Sequence, residues 1–169
     1  AGELTPVANT FIDKTQLRHS GAASSLPMVL RLQPSVVSTM EGGTPLGYSS
    51  IRIRGVGGYQ TNVTLGGITL NDAESQEVFW VNIPALSAIL GSVQLQRGLG
   101  TVSSGPGSFG AGIDMAAAVS DVATGGLDFS AGSFGTLSAT VSAATGVLES
   151  GFYADASYSL QHSDGYILN

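Results

Sequence analysis

Alternation of apolar and polar side chains runs through the C-terminal part of the chain and predicts three β-strands. The alternating runs cover residues 127–131, 137–143 and 152–161, with glycine-containing turns at 132–135 and 146–151. Each run therefore has one apolar and one polar face. Strands of about 10 residues with this division are typical of a transmembrane β-barrel wall, and a β-meander in a soluble sandwich gives the same alternation. Both interpretations remain open at this level.

Ahead of residue 124 the pattern is mixed and predicts short helices between strands. Apolar residues at helical spacing within residues 21–33 predict a short helix, with Ser24 and Ser25 as caps and Pro34 after its end. A strand over 35–39 follows it. Further along, the pattern predicts a polar acidic loop, an apolar segment, a helical turn and two strands, over residues 71–77, 78–81, 83–90, 92–96 and around 113–115.

Two segments in this region have a more specific geometry. Residues 50–54 alternate isoleucine with arginine, which predicts a strand with Arg52 and Arg54 together on one face. In Val63–Leu70 the central Gly66-Gly67 pair suits the two positive φ angles of a type I′ turn, so a hairpin is predicted there.

Composition excludes several classes of function. Twelve acidic and six basic side chains in 169 residues give a net charge of −6, which does not supply the basic stripe that nucleic-acid binding needs. The chain has no cysteine, and its two histidines, His19 and His162, lie far apart, so neither a metal site nor a resident cofactor is expected. No nucleophile motif is present, and an enzyme is not expected. No apolar run approaches the ~18 residues of a membrane-spanning helix.

The order of several short motifs resembles the plug region of TonB-dependent outer-membrane receptors, particularly the branch common in Bacteroidetes-like bacteria. The motifs are Leu26–Leu32, Ile53-Arg54-Gly55, Gly67-Ile68, Ile83-Pro84, Arg97-Gly98, Phe109-Gly110-Ala111-Gly112-Ile113 and Ser163-Asp164-Gly165-Tyr166. The chain departs from the family pattern at Gly66, Gln94, Leu99 and Asp114, where the family has Asn or Asp, Glu, Pro and Asn. The change at Gln94 removes a carboxylate that such plugs usually place in an ion pair.

The resemblance implies an α+β plug domain over residues 1–122, followed over 123–169 by the first three antiparallel strands of a transmembrane β-barrel. Twenty-two strands of about 10 residues need roughly 220 residues. The chain is thus expected to be the N-terminal part of a longer receptor. The energy-coupling segment that family members carry is not recognisable before Thr5.

By the same resemblance, the chain is the gate of an active transporter in the bacterial outer membrane, for a solute such as a siderophore, cobalamin or a glycan. The alternative is a non-transporting scaffold subunit of a larger outer-membrane assembly, and a soluble β-rich adhesin domain is a weaker rival. The implied partners are the remainder of the β-barrel, a TonB-type energy-coupling protein in the periplasm and outer-membrane lipid. A surface lipoprotein or larger assembly is left open as a further partner.

Two sets of site residues follow from the resemblance. The plug apex would meet ligand through Arg54, Tyr59, Gln60, Asn71, Glu74, Gln76 and Trp80. Ion pairs between plug and barrel would use Arg52, Arg54 and Arg97. Structural interpretations compete with these roles: an internal ion pair is favoured for Arg54 and core packing for Trp80, whereas ligand binding and a solvated loop are equally supported for 71–77.

Overall fold

The computed structural model describes residues 8–19, 24–44, 46–98 and 110–166. Within them the elements are β1 (Asn9–Asp13), α1 (Lys14–His19), α2 (Leu26–Leu30), β2 (Val36–Met40), β3 (Ser49–Ile53), β4 (Thr61–Leu65), β5 (Ile68–Thr69), α3 (Leu86–Ile89), β6 (Leu90–Arg97), β7 (Ala111–Ala117), β8 (Thr124–Ala131), β9 (Leu137–Ala144) and β10 (Asp155–His162). Short 3₁₀ turns cover Gly58–Gln60 and Trp80–Asn82. Leu99, Phe109 and the segment before Thr5 lie outside the described residues.

A mixed five-stranded sheet forms the centre of the N-terminal part, with strand order β1-β6-β7-β4-β5. The β4–β7 pair is parallel and the other pairs are antiparallel. Strands β2 and β3 form a separate two-stranded sheet. Helices and strands share one hydrophobic core, whose fully buried members include Leu17, Leu26, Leu30, Ile53, Leu90, Val93, Leu95 and Ile113. The predicted α+β architecture is confirmed.

The predicted hairpin is also confirmed, between β4 and β5. Gly66 and Gly67 have φ angles of 58° and 82°. A type I′ turn requires positive φ at both central positions, and glycine adopts it without a steric penalty. Leu65 pairs with Ile68 directly across the turn.

The predicted arginine face needs a correction. Ile51 and Ile53 of β3 are buried and Arg52 is exposed, as alternation requires. However, the strand ends at Ile53, and Arg54 has a φ of 54°, in the left-handed region. Its backbone N–H donates to the carbonyl of Ser35 at 2.8 Å. Arg54 therefore turns away from the strand direction and does not continue the face of Arg52.

The N-terminal elements were not predicted, and one predicted cap is absent. Strand β1 and helix α1 are short, and their sequence shows neither the two-residue period of a strand nor the helical period. Their formation therefore depends on pairing with β6 and on burial of Ile12 and Leu17. Helix α2 begins after Ser25 as expected, but the Ser25 hydroxyl forms no capping hydrogen bond. It is buried, and within the part of the chain described here it has no partner.

The three C-terminal strands form an antiparallel sheet of order β10-β9-β8 with unbroken register. Its apolar face is the exposed one: Leu127 and Phe129 are 82% and 73% exposed, whereas Ser138 and Thr140 on the other face are 7% and 6% exposed. A soluble meander would bury its apolar face. Apolar side chains outside and polar side chains inside are the division expected for a barrel wall.

Among the helices of the residues described, none has the length and hydrophobicity needed to span a membrane.

Candidate functional site

Arg97 is a buried arginine that binds three separate parts of the plug together. Its Nε donates to the carbonyl of Pro34 at 3.0 Å, and its Nη2 donates to Oγ1 of Thr10. Its own carbonyl accepts a hydrogen bond from Nη1 of Arg54 at 3.1 Å. Burial lowers the pKa of Arg97, and the positive charge of Arg54 lowers it further. Arg97 therefore joins β1 and Pro34, in the turn between α2 and β2, to the end of β6.

The three arginines predicted to form ion pairs have no acidic partner among the described residues. Within the ranges that the structure describes, Arg52, Arg54 and Arg97 form no ion pair with a carboxylate. Arg54 and Arg97 instead use backbone carbonyls and a hydroxyl, which are neutral acceptors. The predicted pairing of the three arginines with barrel carboxylates stays a prediction.

The loop over residues 71–77 is ordered by the side chain of Asn71. Its Oδ1 accepts the backbone N–H of Val63 at 2.8 Å, and its Nδ2 donates to the carbonyls of Thr61 and Gln76 at 2.9 and 2.7 Å. An amide group has two N–H donors and one acceptor oxygen, so both donors and the oxygen of Asn71 are in use. Asn71 thus fixes the loop to strand β4 and is a positioning residue.

Asp72 closes the loop from within. Its Oδ2 accepts hydrogen bonds from the backbone N–H groups of Glu74 and Ser75, at 3.1 and 2.8 Å, and from the Ser75 hydroxyl at 3.0 Å. The hydrogen bond from the Ser75 backbone is the main reason that the pKa of Asp72 is lowered, followed by the Ser75 hydroxyl. Gln76 follows with a φ of 60°, so the loop holds a strained residue.

This loop and the 3₁₀ turn before β4 enclose a polar cavity of about 250 Å³. We refer to it as the loop cavity; its lining residues are Tyr59, Thr61, Asn62, Thr69, Asn71, Asp72, Ala73 and Gln76. The structure thus brings together three of the predicted ligand residues, Tyr59, Asn71 and Gln76. The threonines were not among the predicted ligand residues, and Asp72 was covered only as part of the loop over 71–77. The position of Thr69 on the second arm of the predicted hairpin was a usable signal.

The other predicted apex residues lie elsewhere. Trp80 is 5% exposed and belongs to the hydrophobic core, as the favoured interpretation had it. Glu74 is exposed. The residues that line the loop cavity do not include Glu74, Gln60 or Arg54. In the described part of the chain, no three acidic or histidine side chains form a group that could hold a metal ion.

A second cavity, of about 270 Å³, separates helix α1 from the polar face of the three-stranded sheet. At its edge Arg18 Nη2 lies 2.9 Å from Oδ2 of Asp128. Lys14 and Asp155 also line it, so the helix presents positive charge and the sheet negative charge. Sequence analysis did not identify this pair, because the two residues are 110 positions apart.

The far end of the sheet also touches the plug, through Tyr166. The ring of Tyr166 packs edge-on against Phe134, with centroids 6.3 Å apart. It also covers Gly43, where an added Cβ would lie 2.5 Å from Cδ1 of Tyr166. The three-stranded sheet is therefore attached to the plug at two places, at α1 and at the loop containing Gly43.

Solved structures with the same fold include receptors and a copper transporter. The ferripyoverdine receptor FpvA of Pseudomonas aeruginosa matches with a TM-score of 0.71 and 20% identity over 95% of this chain and 21% of its own. The ferric yersiniabactin receptor FyuA of Yersinia pestis matches with a TM-score of 0.67 and 18% identity, over 90% of this chain and 24% of its own. The copper transporter OprC gives a TM-score of 0.70 and 19% identity, over 92% and 24%. This chain therefore spans about a fifth to a quarter of the length of these receptors.

Sequence comparison agrees with the fold. No curated protein matches the chain significantly. The model of the TonB-dependent receptor plug domain, in contrast, matches residues 3–112, which include the loop cavity, strands β1, β4, β5 and β6 of the five-stranded sheet and the start of β7. The chain belongs to the TonB-dependent receptor plug domain family.

Proposed function

We propose that this chain is the gate of a TonB-dependent active transporter in the bacterial outer membrane, with a plug domain over residues 1–122 and the first three barrel strands over 123–169. The observation that carries the proposal is the polarity of the three-stranded sheet. Its polar face lies against the plug, with Asp128 bonded to Arg18, and its apolar face is exposed. A plug inside a lipid-embedded wall needs this arrangement, because lipid cannot solvate polar side chains.

The gate would act with three partners: the remaining barrel strands, outer-membrane lipid and a TonB-type energy-coupling protein in the periplasm. Three strands leave two unpaired edges, which lipid does not tolerate, so further strands must continue the sheet. Arg52 on β3 and Arg54 just after the end of β3 are both exposed, although on different faces, so both can meet carboxylates of those strands. Arg97 is the third arginine proposed for these ion pairs, and its guanidinium also donates to Pro34 and Thr10 within the plug.

The solute is a siderophore, another metal complex, cobalamin or a glycan. The similar structures are receptors for ferripyoverdine and ferric yersiniabactin and a copper transporter, which supports a metal-containing solute at the level of the fold only. Tyr59, Asn71 and Gln76 around the loop cavity are the residues that we expect nearest to it. No enzymatic reaction is proposed.

Deletion of residues 1–122 from the receptor tests the gate. We expect the outer membrane of cells producing this variant to admit large hydrophilic antibiotics that the intact receptor excludes, and uptake to lose its dependence on the energy-coupling protein. The matched control is the intact receptor at the same abundance in the membrane. Unchanged permeability, together with loss of stoichiometric partner proteins, would favour the scaffold role instead.

A further inference from the structure

The loop cavity has a chemistry that restricts what it can bind. Its polar lining consists of the hydroxyl groups of Tyr59, Thr61 and Thr69, side-chain amides and the carboxylate of Asp72. Among the residues that the structure describes, no lysine or arginine lines it. The nearest further charges on the loop, Glu74 and Glu77, are also negative. An anionic group entering this space would meet carboxylates and no compensating cation.

Two polar groups of the lining remain available to a ligand: Oδ1 of Asp72, which accepts hydrogen bonds, and the Tyr59 hydroxyl, which donates and accepts them. Asp72 uses only Oδ2 to close the loop, and among the described residues no donor reaches its Oδ1. The Tyr59 hydroxyl likewise has no partner within the described residues, and its side chain is 59% exposed. Its ring packs over Gly57, where an added Cβ would lie 3.0 Å from Cε1 of Tyr59. One edge of the ring therefore lies against Gly57, while most of the residue stays exposed.

An aromatic face beside separate neutral polar groups and one carboxylate is suited to hydroxyl-rich molecules. A tyrosine ring offers an apolar surface for C–H groups, and a carboxylate oxygen accepts hydrogen bonds from hydroxyls. A simple cation would use Oδ1 of Asp72 but would leave the Tyr59 hydroxyl, which can donate as well as accept a hydrogen bond, without a partner on the ligand. We propose that the loop cavity binds an uncharged, hydroxyl-rich portion of the transported solute and excludes anionic portions. This inference rests on the proposed function, since it assigns a ligand class to the same gate.

Hydrogen exchange of loop 71–77 in the purified full-length receptor tests the proposal with defined probes. The probes are uncharged sugars (glucose, maltose and sucrose), citrate as the anion and spermidine as the cation. We expect at least one sugar to slow exchange of the loop in proportion to 1 + [L]/Kd, reaching about twofold or more by about 100 mM. Citrate should have no effect. Protection by citrate, stronger protection by spermidine than by every sugar, or no protection by any sugar would each overturn the proposal.

Variants separate the cavity from general effects on the loop. Tyr59→Ala should abolish protection by sugar, and Asp72→Asn, which keeps an oxygen acceptor for the Ser75 N–H, should allow citrate to protect. The matched control is Glu77→Gln, which removes the same charge from the same loop but lies on the neighbouring small cavity beside Gly58. Glu77→Gln should leave both responses unchanged; if it admits citrate as Asp72→Asn does, net loop charge explains the effect and the proposal fails.

Deletion of the plug tests the proposed function independently of these readouts. If the plug-deleted receptor is leaky but the loop of the intact receptor does not respond to the probes, only this inference is refuted.

Discussion

Arg54 donates a hydrogen bond from Nη1 to the carbonyl oxygen of Arg97 at 3.1 Å, and this contact joins two arginine-glycine motifs that are 43 residues apart. Arg97 in turn donates to Pro34 and Thr10, so the two arginines connect β1, β3 and β6. Both motifs were recognised from the sequence as family features. Their physical role within this plug is to satisfy backbone carbonyls at the junction of its two sheets.

Replacement of Arg97 should loosen this junction. Arg97→Ala leaves the Pro34 carbonyl without its donor and opens space beside it, so we expect local opening of β1 from β6 to become easier by about 2 kcal/mol. Arg97→Lys should cost less, because an ammonium group can reach one of the two acceptors but lacks the guanidinium fork. Hydrogen exchange of residues 9–13 in the receptor measures both. Exposed Arg52→Ala is the control, expected within about 0.5 kcal/mol of the parent; an equal effect of Arg97→Ala and Arg52→Ala would contradict this role.

The ion pair between Arg18 and Asp128 should contribute modestly and depend on salt. The side chains are 53% and 35% exposed, so solvent screens the attraction, and a double-mutant cycle should give a coupling energy of about 0.5 kcal/mol. Charge reversal in Arg18→Asp/Asp128→Arg should restore part of what either single reversal loses. The measurement is hydrogen exchange of α1 at low and high ionic strength, and the coupling should shrink at high salt. No recovery in the double variant would show that the pair does not attach α1 to the sheet.

Gly43 should tolerate no side chain, for two separable reasons. Its φ is 63°, and an added Cβ would lie 2.5 Å from the ring of Tyr166. Gly43→Ala should therefore destabilise the contact between the plug loop and the sheet by about 1–2 kcal/mol or more. In the Tyr166→Ala background the same substitution should cost less, since only the backbone term remains. Thermal unfolding of the parent receptor, the two single variants and the double variant completes a double-mutant cycle. If the losses of stability in the two single variants simply add in the double variant, the ring does not contact position 43.

Asn71→Ala should release the loop from β4. The substitution removes one acceptor and two donors and leaves the carbonyl of Thr61 without its donor. We expect a loss of about 2 kcal/mol in the local stability of residues 71–77. Asn71→Asp keeps the acceptor for Val63 but loses both donors, so it should not rescue the loop. The comparison is made by hydrogen exchange, and rescue by aspartate would mean that only the Val63 bond matters.

The same loop should lose order in acid. The pKa of Asp72 is lowered below its ordinary value of 3.8, mainly by the Ser75 backbone hydrogen bond. A lowered pKa in the folded state means that the ionised carboxylate stabilises the loop fully above about pH 3.8. This stabilisation disappears as the pH falls through the lower pKa of the folded state. Amide chemical shifts of Glu74 and Ser75 should follow that titration in the parent and not in Asp72→Asn; an identical acid transition in the variant would assign it to another group.

Elements specified by local pattern could be predicted from the sequence. The β4–β5 hairpin, the three C-terminal strands and helix α2 all depend on residues that are neighbours along the chain. Strand β1 and helix α1 were missed, because five or six residues without a clear period form only when β6 pairs with them. Arg54 was misplaced because its positive φ results from a contact with Ser35, which no alternation rule anticipates.

The candidate site was also predicted only in part from the sequence. Tyr59, Asn71 and Gln76 were selected from the sequence as ligand residues, and they do share the loop cavity. Their individual roles could not be assigned in advance, since Asn71 proves to hold the loop and Trp80 to fill the core. Asp72 was not singled out within the loop over 71–77, because its place in the cavity lining and its hydrogen bonds through Oδ2 are properties of the folded loop.

The sequence by itself determined the family, the type of most elements and the two-faced character of the C-terminal strands, because side-chain periodicity and turn chemistry act over a few residues. Only the tertiary structure decided which face of those strands meets the plug, which groups bind Arg97, and that α1 carries the partner of Asp128. These depend on contacts between residues up to 110 positions apart. Such contacts are selected by the packing of whole elements against one another, and no local pattern encodes that packing.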